Sequence, residues 1–447
     1  MRSDAKAEDV APCHCTSAPK ETTILLGEDG TQVSSHPQLK DALFPMLFAV
    51  FLFVTCIAMT VPVRPRLILD AAGKDAALAS YFTGFVDSIQ AIITIFSSPL
   101  LGAVSDVVGR KPVLILTHLG ELVGLFVVAQ FPYSLWAQFP AYLLIALTNA
   151  YFTTANTVIA DITTDPLISS RNYGWLGAAV GVAFLIGPAL GGLTESTFYL
   201  ASSFHVACIG IAFAALFVHF VLPETKPADS GAASATDVAR ALSEADVNPV
   251  PRVQRLFSHS KGLQWIALTL AISSLAQSGL NSILFLYAKV KLGWDTKETG
   301  FFLSLLGLAL LVSQSVLAPL AVRTLGEVNT ILIGYVLSAI HYFIYGAARS
   351  SAGMYLALLV GTFAFTSDPA LKSLIARQVD KKDQGGLQGS VSALSAVVKP
   401  VSPLFAAGLF GYGSRIGLPG LPFYAIGVVA SVAAVLMRIA LWKPDLK

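Results

Sequence analysis

The sequence predicts an all-α membrane protein with twelve transmembrane helices in two six-helix, pseudo-symmetric lobes. Three observations support this class: an excess of apolar residues, a dozen apolar runs of membrane-spanning length, and a polar segment that divides those runs evenly. Hydrophobic residues make up 55% of the 447 residues and charged residues only 13%, against about a quarter in soluble domains. A formal net charge of +2 gives no reason to expect a nucleic-acid partner.

The apolar runs fix the number of spans, since a helix that crosses the bilayer needs roughly 20 mostly apolar residues. Two stretches, Val113 to Ala160 and Asn172 to Pro223, are each long enough for two spans and carry one charged residue. Turn-forming residues, FPYS in the first and GGLTES in the second, divide each stretch near its middle. The predicted spans, numbered 1 to 12, cover residues 43–63, 78–101, 113–131, 139–162, 173–194, 200–222, 264–288, 298–321, 328–346, 353–376, 386–410 and 421–442.

Polar segments frame the two groups of spans. The N-terminal segment lacks the pattern of a cleaved signal peptide and is predicted to stay in the cytosol. The central segment is rich in Ala, Pro, Ser and Asp, which is typical of a flexible or partly helical linker. The predicted organisation is a tail at 1–42, an N-terminal lobe at 43–222, a cytosolic linker at 223–262, a C-terminal lobe at 263–442 and a tail at 443–447.

Basic residues in the short loops predict the orientation, because loops on the cytosolic side carry an excess of Lys and Arg. Seven of them fall on the side of the N-terminal tail: Arg110, Lys111, Arg171, Arg323, Arg377, Lys381 and Lys382. The four assigned to loops on the opposite side are Arg64, Arg66, Lys289 and Lys291. The tail and the linker are therefore expected in the cytosol.

The two halves resemble each other around the loops that follow spans 2 and 8. GAVSDVVGRKPVLI aligns with PLAVRTLGEVNTIL, so that Gly109 matches Gly326 while the neighbouring charges are inverted. Chance similarity between Gly-rich apolar runs is the alternative. A duplicated transporter is the favoured interpretation.

The loop between spans 2 and 3 carries a specific motif. Its pattern, Gly-x-x-x-Asp-x-x-Gly-Arg-Lys, resembles the signature loop of the major facilitator superfamily. LPET at the exit of span 6 and the six-plus-six division agree with that resemblance, which covers residues 41–446. It implies the major facilitator fold and solute transport by two lobes that rock around a central site.

Two further stretches resemble a narrower group within the superfamily. GVAFLIGPALGG in span 5 is similar to the antiporter motif of drug:proton exchangers, carried here by Gly187, Pro188, Gly191 and Gly192. LPGLPF before span 12 is similar to the tetracycline-efflux-like branch, including eukaryotic relatives named for a hippocampus-abundant transcript. The resemblance implies proton-coupled antiport of a small organic solute. The alternatives are a metabolite uniporter or symporter, and a non-transporting receptor or scaffold.

The signature loop predicts a latch between the lobes. Gly102 would allow close helix approach, and Gly109 a tight cytosolic turn. Asp106 would face the positive N-terminal end of span 11. The resemblance implies that Arg110 pairs with Asp161 at the cytosolic end of span 4.

Polar residues within spans are candidates for the substrate cavity, because polar groups at membrane depth usually face a cavity or a partner. Gln277 and Asn281 lie four residues apart on one face of span 7. Asn149 and Asn156 lie seven apart in span 4. For both pairs, substrate binding and interhelical hydrogen bonding remain open.

Charged residues within spans are candidates for proton coupling. Glu121 in span 3 is either a proton carrier or bound to a partner on a neighbouring helix. Asp368 and Lys372 in span 10 are spaced for an ion pair, and a structural role is favoured.

The sharpest sequence prediction joins Asp87 in span 2 to Lys399 in span 11. Counted from the predicted cytosolic ends, both lie about 20 Å into the membrane. Lys399 also precedes Pro400, which biases it away from helical geometry. Three interpretations remain open: a conformation-dependent ion pair, a static pair, and Lys399 acting alone as an anion anchor.

The remaining expectations concern partners and location. The expected partners are a small-molecule substrate, protons and the lipid bilayer, with the protein acting as a monomer. No enzyme motif, cofactor site or metal site is recognised. Glu21, Leu25 and Leu26 resemble an acidic dileucine signal for vesicle adaptors, which predicts an endosomal, lysosomal or vacuolar membrane, with the plasma membrane as the alternative.

Overall fold

The computed structural model describes residues 42–163, 166–226, 234–245, 247–257, 261–376 and 384–441, together with two short strands in the tail. These strands, Leu25–Leu26 and Gln32–Val33, form an antiparallel pair. Leu25 and Leu26 of the predicted adaptor signal thus lie in a strand, while Glu21 lies outside the described residues.

Twelve helical segments are long and apolar enough to cross a membrane, which confirms the predicted fold class. Hydropathy located them well because the apolar runs are separated by short polar loops. In chain order they are Leu43–Ala71, Ala76–Val108, Arg110–Gln130, Leu135–Asp161, Arg171–Thr197, Ser202–Phe220, Leu263–Leu292, Thr296–Leu325, Glu327–Ala347, Ser351–Ile375, Ser390–Arg415 and Leu421–Leu441.

The largest difference from the prediction is the length of spans 1 and 2. Span 1 consists of helices Leu43–Thr60 and Arg64–Ala71, so Arg64 and Arg66 lie within it. Their assignment to a loop was wrong, and Pro65 is compatible with the second helix because it lies in the first helical turn. Span 2 continues beyond residue 101 to Val108.

Spans 4 and 10 share an interruption that supports the repeat of the two lobes. Span 4 is divided into Leu135–Thr148 and Tyr151–Asp161, and span 10 into Ser351–Ala364 and Ser367–Ala376. The first helix has 14 residues in both spans. Because an interrupted helix leaves backbone groups free, such a position is tolerated at membrane depth only where protein or a cavity surrounds it.

The loops after spans 2 and 8 also share their backbone geometry. Gly109 has φ 106° and ψ 163°, and Gly326 has φ 81° and ψ 161°. Each glycine ends one span and starts the next. Residues with a Cβ avoid this region, so the alignment of these two glycines reflects a real structural equivalence.

Each lobe has its own packed interior. In the N-terminal lobe, span 1 packs against spans 5 and 6, and Phe53 stacks on Tyr151 with ring centroids 3.9 Å apart. In the C-terminal lobe, span 7 packs against spans 11 and 12, and Tyr287 meets Phe423 edge-on at 4.6 Å. Large exposed apolar side chains cover many outward faces, as expected for surfaces that face lipid.

The linker is partly helical. Helix Ala235–Glu244 begins with a capping box in which Ser234 and Asp237 bond each other's backbone N–H groups. Hydrogen bonds from the Ser234 side chain and backbone hold the pKa of Asp237 below its ordinary value. This helix packs against span 2, and helix Pro249–Phe257 packs against span 11. The linker therefore bridges the two lobes on the side that the loop charges predict to be cytosolic.

Candidate transport site

A cavity of about 870 Å³ opens between the lobes on the side of the linker. Its walls come from spans 2 and 4 of one lobe and span 11 of the other, and linker residues 245 and 247–249 stand at its mouth. The volume lies within the range of small-molecule sites, about 300–1,000 Å³. Polar and charged lining residues are Gln90, Thr94, Ser98, Asp106, Asn149, Thr153, Thr157, Asn248, Ser392 and Lys399.

On the opposite, outer side, spans 5 and 8 pack too closely to leave a passage. A methyl group built on Gly192 would fall within 2.7 Å of the Thr296 carbonyl oxygen. One built on Gly191 would overlap the backbone of Met59 in span 1. Gly187 faces span 1 in the same way, and Gly300 of span 8 lies against the Pro188 carbonyl. The predicted antiporter motif therefore packs span 5 between spans 1 and 8.

Spans 2 and 11 close the outer side along the other edge. The Ser80 hydroxyl donates a hydrogen bond to the Ala407 carbonyl oxygen at 3.2 Å. Gly84 lies against the Pro403 carbonyl, where an added methyl group would be only 2.7 Å from the oxygen. With both edges closed and the linker side open, the structure represents a conformation that is open on the side of the linker, the side that the loop charges predict to be cytosolic.

Asp87 lies at the centre of this outer closure. Arg64 Nη2 donates to Asp87 Oδ1 at 2.7 Å, and the Ser282 hydroxyl donates to Asp87 Oδ2 at 2.7 Å. The Arg64 guanidinium also sits 4.5 Å from the centre of the Tyr142 ring. Because Ser282 belongs to span 7, the carboxylate joins the two lobes. Asn281 lines the small cavity of about 80 Å³ beside this group.

A second arginine of span 1 binds an acid within the same lobe. Arg66 forms an ion pair with Glu195 at the outer end of span 5, and Glu195 is nearly buried. This pair joins spans 1 and 5, and among the described residues neither side chain forms a hydrogen bond or an ion pair with the C-terminal lobe. It therefore serves as a natural reference for the Arg64 and Asp87 pair, which crosses between lobes.

The signature loop forms a network at the ends of spans 2, 3 and 4 on the side of the linker. Arg110 Nε donates to Asp161 Oδ2 at 2.9 Å, and Arg110 Nη1 donates to Ser105 Oγ at 2.8 Å and to Asp106. The Arg110 side chain is only 9% exposed, whereas that of Asp106 is 66% exposed. The Arg110 and Asp161 pair expected from the family resemblance is present.

Glu224, the acid of LPET, completes the network. Its carboxylate accepts the backbone N–H groups of Arg110 at 2.9 Å and Lys111 at 3.1 Å. These are orphan donors of the first turn of span 3, where a negative charge is favoured. The sequence analysis noted the motif but did not give Glu224 a role. The contact ties the end of span 6 to the start of span 3.

One prediction for the signature loop differs from the structure. Gly102 lies on the cavity wall, where a methyl group would make only ordinary contact with Thr153 at 3.8 Å. The predicted close approach at Gly102 is therefore absent from this conformation, because the lobes are apart on this side. Asp106 binds Arg110 of its own loop, and its predicted position facing the start of span 11 stays a prediction, because residues 377–383 lie outside the described part of the chain.

The structure does not bring Asp87 and Lys399 together. Asp87 accepts hydrogen bonds from Arg64 and Ser282, while Lys399 lies on the wall of the open cavity. The premise of equal depth was wrong, because span 2 continues to Val108 and so places Asp87 in the outer half of the helix. Lys399 lies near the middle of span 11, between helices Gln384–Val398 and Val401–Arg415.

The predicted cavity amides separate into different environments. Asn149 lines the large cavity, whereas Asn156 does not, and the helix break after Asn149 removes the shared face that the spacing predicted. Gln277 lines a small cavity of about 40 Å³ inside the C-terminal lobe. Asn281 lies at the outer closure instead. Of the four amides, only Asn149 reaches the large cavity.

Two further acids lie inside the lobes. Glu121 is 8% exposed, and its carboxylate has no hydrogen bond or ion pair among the described residues. Asp368 lines the small cavity beside Gln277. The side chain of Lys372 lies outside the described residues, so the predicted pair with Asp368 stays a prediction.

The sequence analysis missed Arg64 and Ser282 as site residues. Arg64 was assigned to a loop, and Ser282 gave no signal because it is one of several hydroxyl residues in span 7. An arginine just inside a span would have been the available signal, since buried cations need a counter-ion. Among the described residues, no group of three His, Cys, Asp or Glu side chains could hold a metal ion.

These features define a class: a multi-pass membrane transporter whose two lobes enclose a solute cavity that is open to one side. The sequence profile of the Major Facilitator Superfamily matches residues 44–367. The chain belongs to this family.

Individual relatives refine the comparison. The chain is 26% identical to the class C tetracycline resistance protein of Escherichia coli over 373 residues, covering 83% of this chain and 90% of that protein. It is 25% identical to the human hippocampus abundant transcript-like protein 1 over 332 residues, covering 73% of this chain and 63% of that protein. The crystal structure of the human organic anion transporter MFSD10 superposes with a TM-score of 0.62 at 21% identity, covering 90% and 100% of the two chains.

Proposed function

We propose that the protein is a proton-coupled antiporter that exports a small organic solute from the cytosol. The observation that carries this proposal is the position of Asp87, a titratable carboxylate that holds the outer closure through Arg64 and Ser282. An acid in this place couples proton binding to opening, because a protonated Asp87 loses its charge attraction to Arg64. Relatives named for tetracycline resistance support export of an organic compound.

The proposed cycle starts from the conformation described here. Solute enters the open cavity from the cytosol, and the cytosolic ends then close around it. A proton from the outer side protonates Asp87, frees Arg64 and Ser282, and allows the outer edges at spans 2/11 and 5/8 to separate. Glu121 is a second proton site in this proposal, since it is buried without a hydrogen-bond or ion-pair partner among the described residues.

The test uses inside-out vesicles from cells that produce the protein. The vesicles receive a deproteinised cytosolic extract, and mass spectrometry identifies the solutes that accumulate when the lumen is acidic. We expect accumulation that nigericin abolishes. Accumulation that nigericin does not change would contradict proton coupling. Solute amounts in the lumen no higher than in control vesicles without the protein would contradict transport.

Matched acid variants locate the coupling. Asp87→Asn is expected to reduce gradient-driven accumulation of solute by at least about tenfold, the scale of about one charge-assisted hydrogen bond. Exchange of solute across the membrane without a gradient should continue. Glu195→Gln is the control, because Glu195 also pairs with an arginine of span 1 but stays within one lobe. Normal gradient dependence in Asp87→Asn would remove Asp87 from the coupling scheme.

The membrane in which the protein resides stays a prediction. An endosomal, lysosomal or vacuolar location rests on Glu21, Leu25 and Leu26 alone.

A further inference from the structure

The cation and the carboxylate on the wall of the large cavity differ in whether they have a partner. Among its described lining residues there is one cation, Lys399, and one carboxylate, Asp106. Asp106 lies at the mouth and is already bound to Arg110. Arg64 lines a separate small cavity and is bound to Asp87. Lys399 is therefore the cation without a partner among the described residues of this cavity.

The local backbone of span 11 exposes Lys399 to the cavity. Pro400 cannot donate the backbone hydrogen bond that would continue the helix, and the helix is interrupted at Lys399 and Pro400. Lys399 is exposed, and its ammonium makes no hydrogen bond or ion pair with the described residues. An ammonium near the middle of a span is costly unless water or a counter-ion reaches it. The open cavity admits both.

The rest of the wall is neutral and suited to an organic body. Side-chain amides and hydroxyls come from Gln90, Thr94, Ser98, Asn149 and Thr153. Apolar stretches of spans 2 and 11 lie between them. Such a wall orients a ligand through a few polar contacts and buries its apolar part. It offers a cationic solute one carboxylate, and that carboxylate is already occupied by Arg110.

We propose that the cavity selects organic anions and that Lys399 binds the anionic group, a carboxylate, sulfonate or phosphate ester. This inference rests on the proposed transport function for its physiological meaning. The ammonium acts as a compact point charge with three donors, and the low dielectric of the membrane interior strengthens its attraction for an anion. Neutral hydroxyls and amides of spans 2 and 4 hold the remainder of the solute.

The experiment measures binding to purified full-length protein with probes matched in shape. Benzoate, benzamide and benzamidine form one set, and fluorescein and the cationic dye rhodamine 123 form a second. Binding of the first set is measured by the increase in melting temperature of the protein. Binding of the second set is measured by fluorescence polarisation. We expect the anion of each set to bind best. Lys399→Gln should weaken anion binding by about tenfold or more, the scale of one hydrogen bond to a charged group, and Lys399→Arg should keep most of it.

A control variant separates the site from general charge effects. Lys297→Gln neutralises an exposed lysine at the outer end of span 8, away from the cavity, and should bind anions like the wild type. The unliganded melting temperature of Lys399→Gln shows whether the variant is folded. If it unfolds, the Lys399→Arg protein decides, since loss of anion binding there with a normal melting temperature would overturn the proposal.

The outcomes also distinguish this proposal from the proposed function. Equal or better binding of the neutral or cationic probes overturns the anion assignment, as does unchanged anion binding in Lys399→Gln or no binding of any probe. Gradient-driven accumulation of neutral or cationic solutes in vesicles would keep the transport function and overturn the anion assignment. Anion binding that depends on Lys399, without accumulation, would keep the site and overturn the transport function.

Discussion

The loops after spans 2 and 8 have the same backbone turn and different surroundings. Gly109 and Gly326 share a conformation, yet a methyl group on Gly109 would meet Glu224 whereas one on Gly326 would meet open space. Span 3 has no acid in its first turn and receives Glu224 from the end of span 6, while span 9 carries Glu327 in its own first turn. The turn is therefore the same in both loops, and in the N-terminal loop Glu224 connects it to the end of span 6.

Substitutions of the arginines in the two loops are expected to differ most in their effect on the free energy of unfolding. Arg110→Gln removes a buried cation from Asp161, Asp106 and Ser105, and breaking a buried ion pair costs about 3–5 kcal/mol. We expect a loss near 3 kcal/mol, the low end of this range, because Asp106 is exposed to solvent. Arg323→Gln, at an exposed position of the C-terminal loop, should change the unfolding free energy by less than about 0.5 kcal/mol. Denaturation by SDS in mixed micelles measures both, and equal effects would contradict the comparison.

Glycine variants give an intermediate effect. Gly109→Ala and Gly326→Ala both force alanine into a backbone region that costs about 1–3 kcal/mol. Only Gly109→Ala also displaces Glu224, so its loss should be larger by about 1 kcal/mol, the value of a typical hydrogen bond. The same SDS titration checks the order. A Gly326→Ala protein that is less stable than Gly109→Ala would show that Glu224 simply moves aside.

The smallest effect concerns Glu224 itself. Glu224→Gln keeps the shape of the side chain but removes the charge at the start of span 3, which should cost about 0.3–1 kcal/mol. Lys111→Gln is the matched control in the same turn, because the described structure shows only its backbone N–H in this network. A larger loss in Lys111→Gln than in Glu224→Gln would mean that the loop acts through its positive charge rather than through the cap.

The sequence predicted the twelve spans because hydropathy is a property of each segment alone. It failed at the end of span 1 because the helix there depends on partners far along the chain. Arg64 binds Asp87 and Arg66 binds Glu195, at sequence separations of 23 and 129 residues. No local pattern encodes such pairs. The error in the length of span 2 then produced the wrong depth for Asp87.

The site was predictable where family resemblance supplied a pair and not where only spacing did. Arg110 and Asp161 meet as the resemblance implied. Asn149 and Asn156 do not share a face, since the helix break between their turns cannot be read from a seven-residue spacing. Lys399 was recognised as a candidate because a lysine in an apolar run followed by proline is a conflict within the sequence itself. Its lack of a partner among the described residues required the structure.

The linker also affects how solutes enter the cavity. Its residues 245 and 247–249 form part of the rim of the large cavity. The entrance to the cavity is therefore formed partly by the linker and not by the membrane helices alone. A substitution at one of these linker residues would change the width of the entrance while leaving the walls formed by spans 2, 4 and 11 as they are.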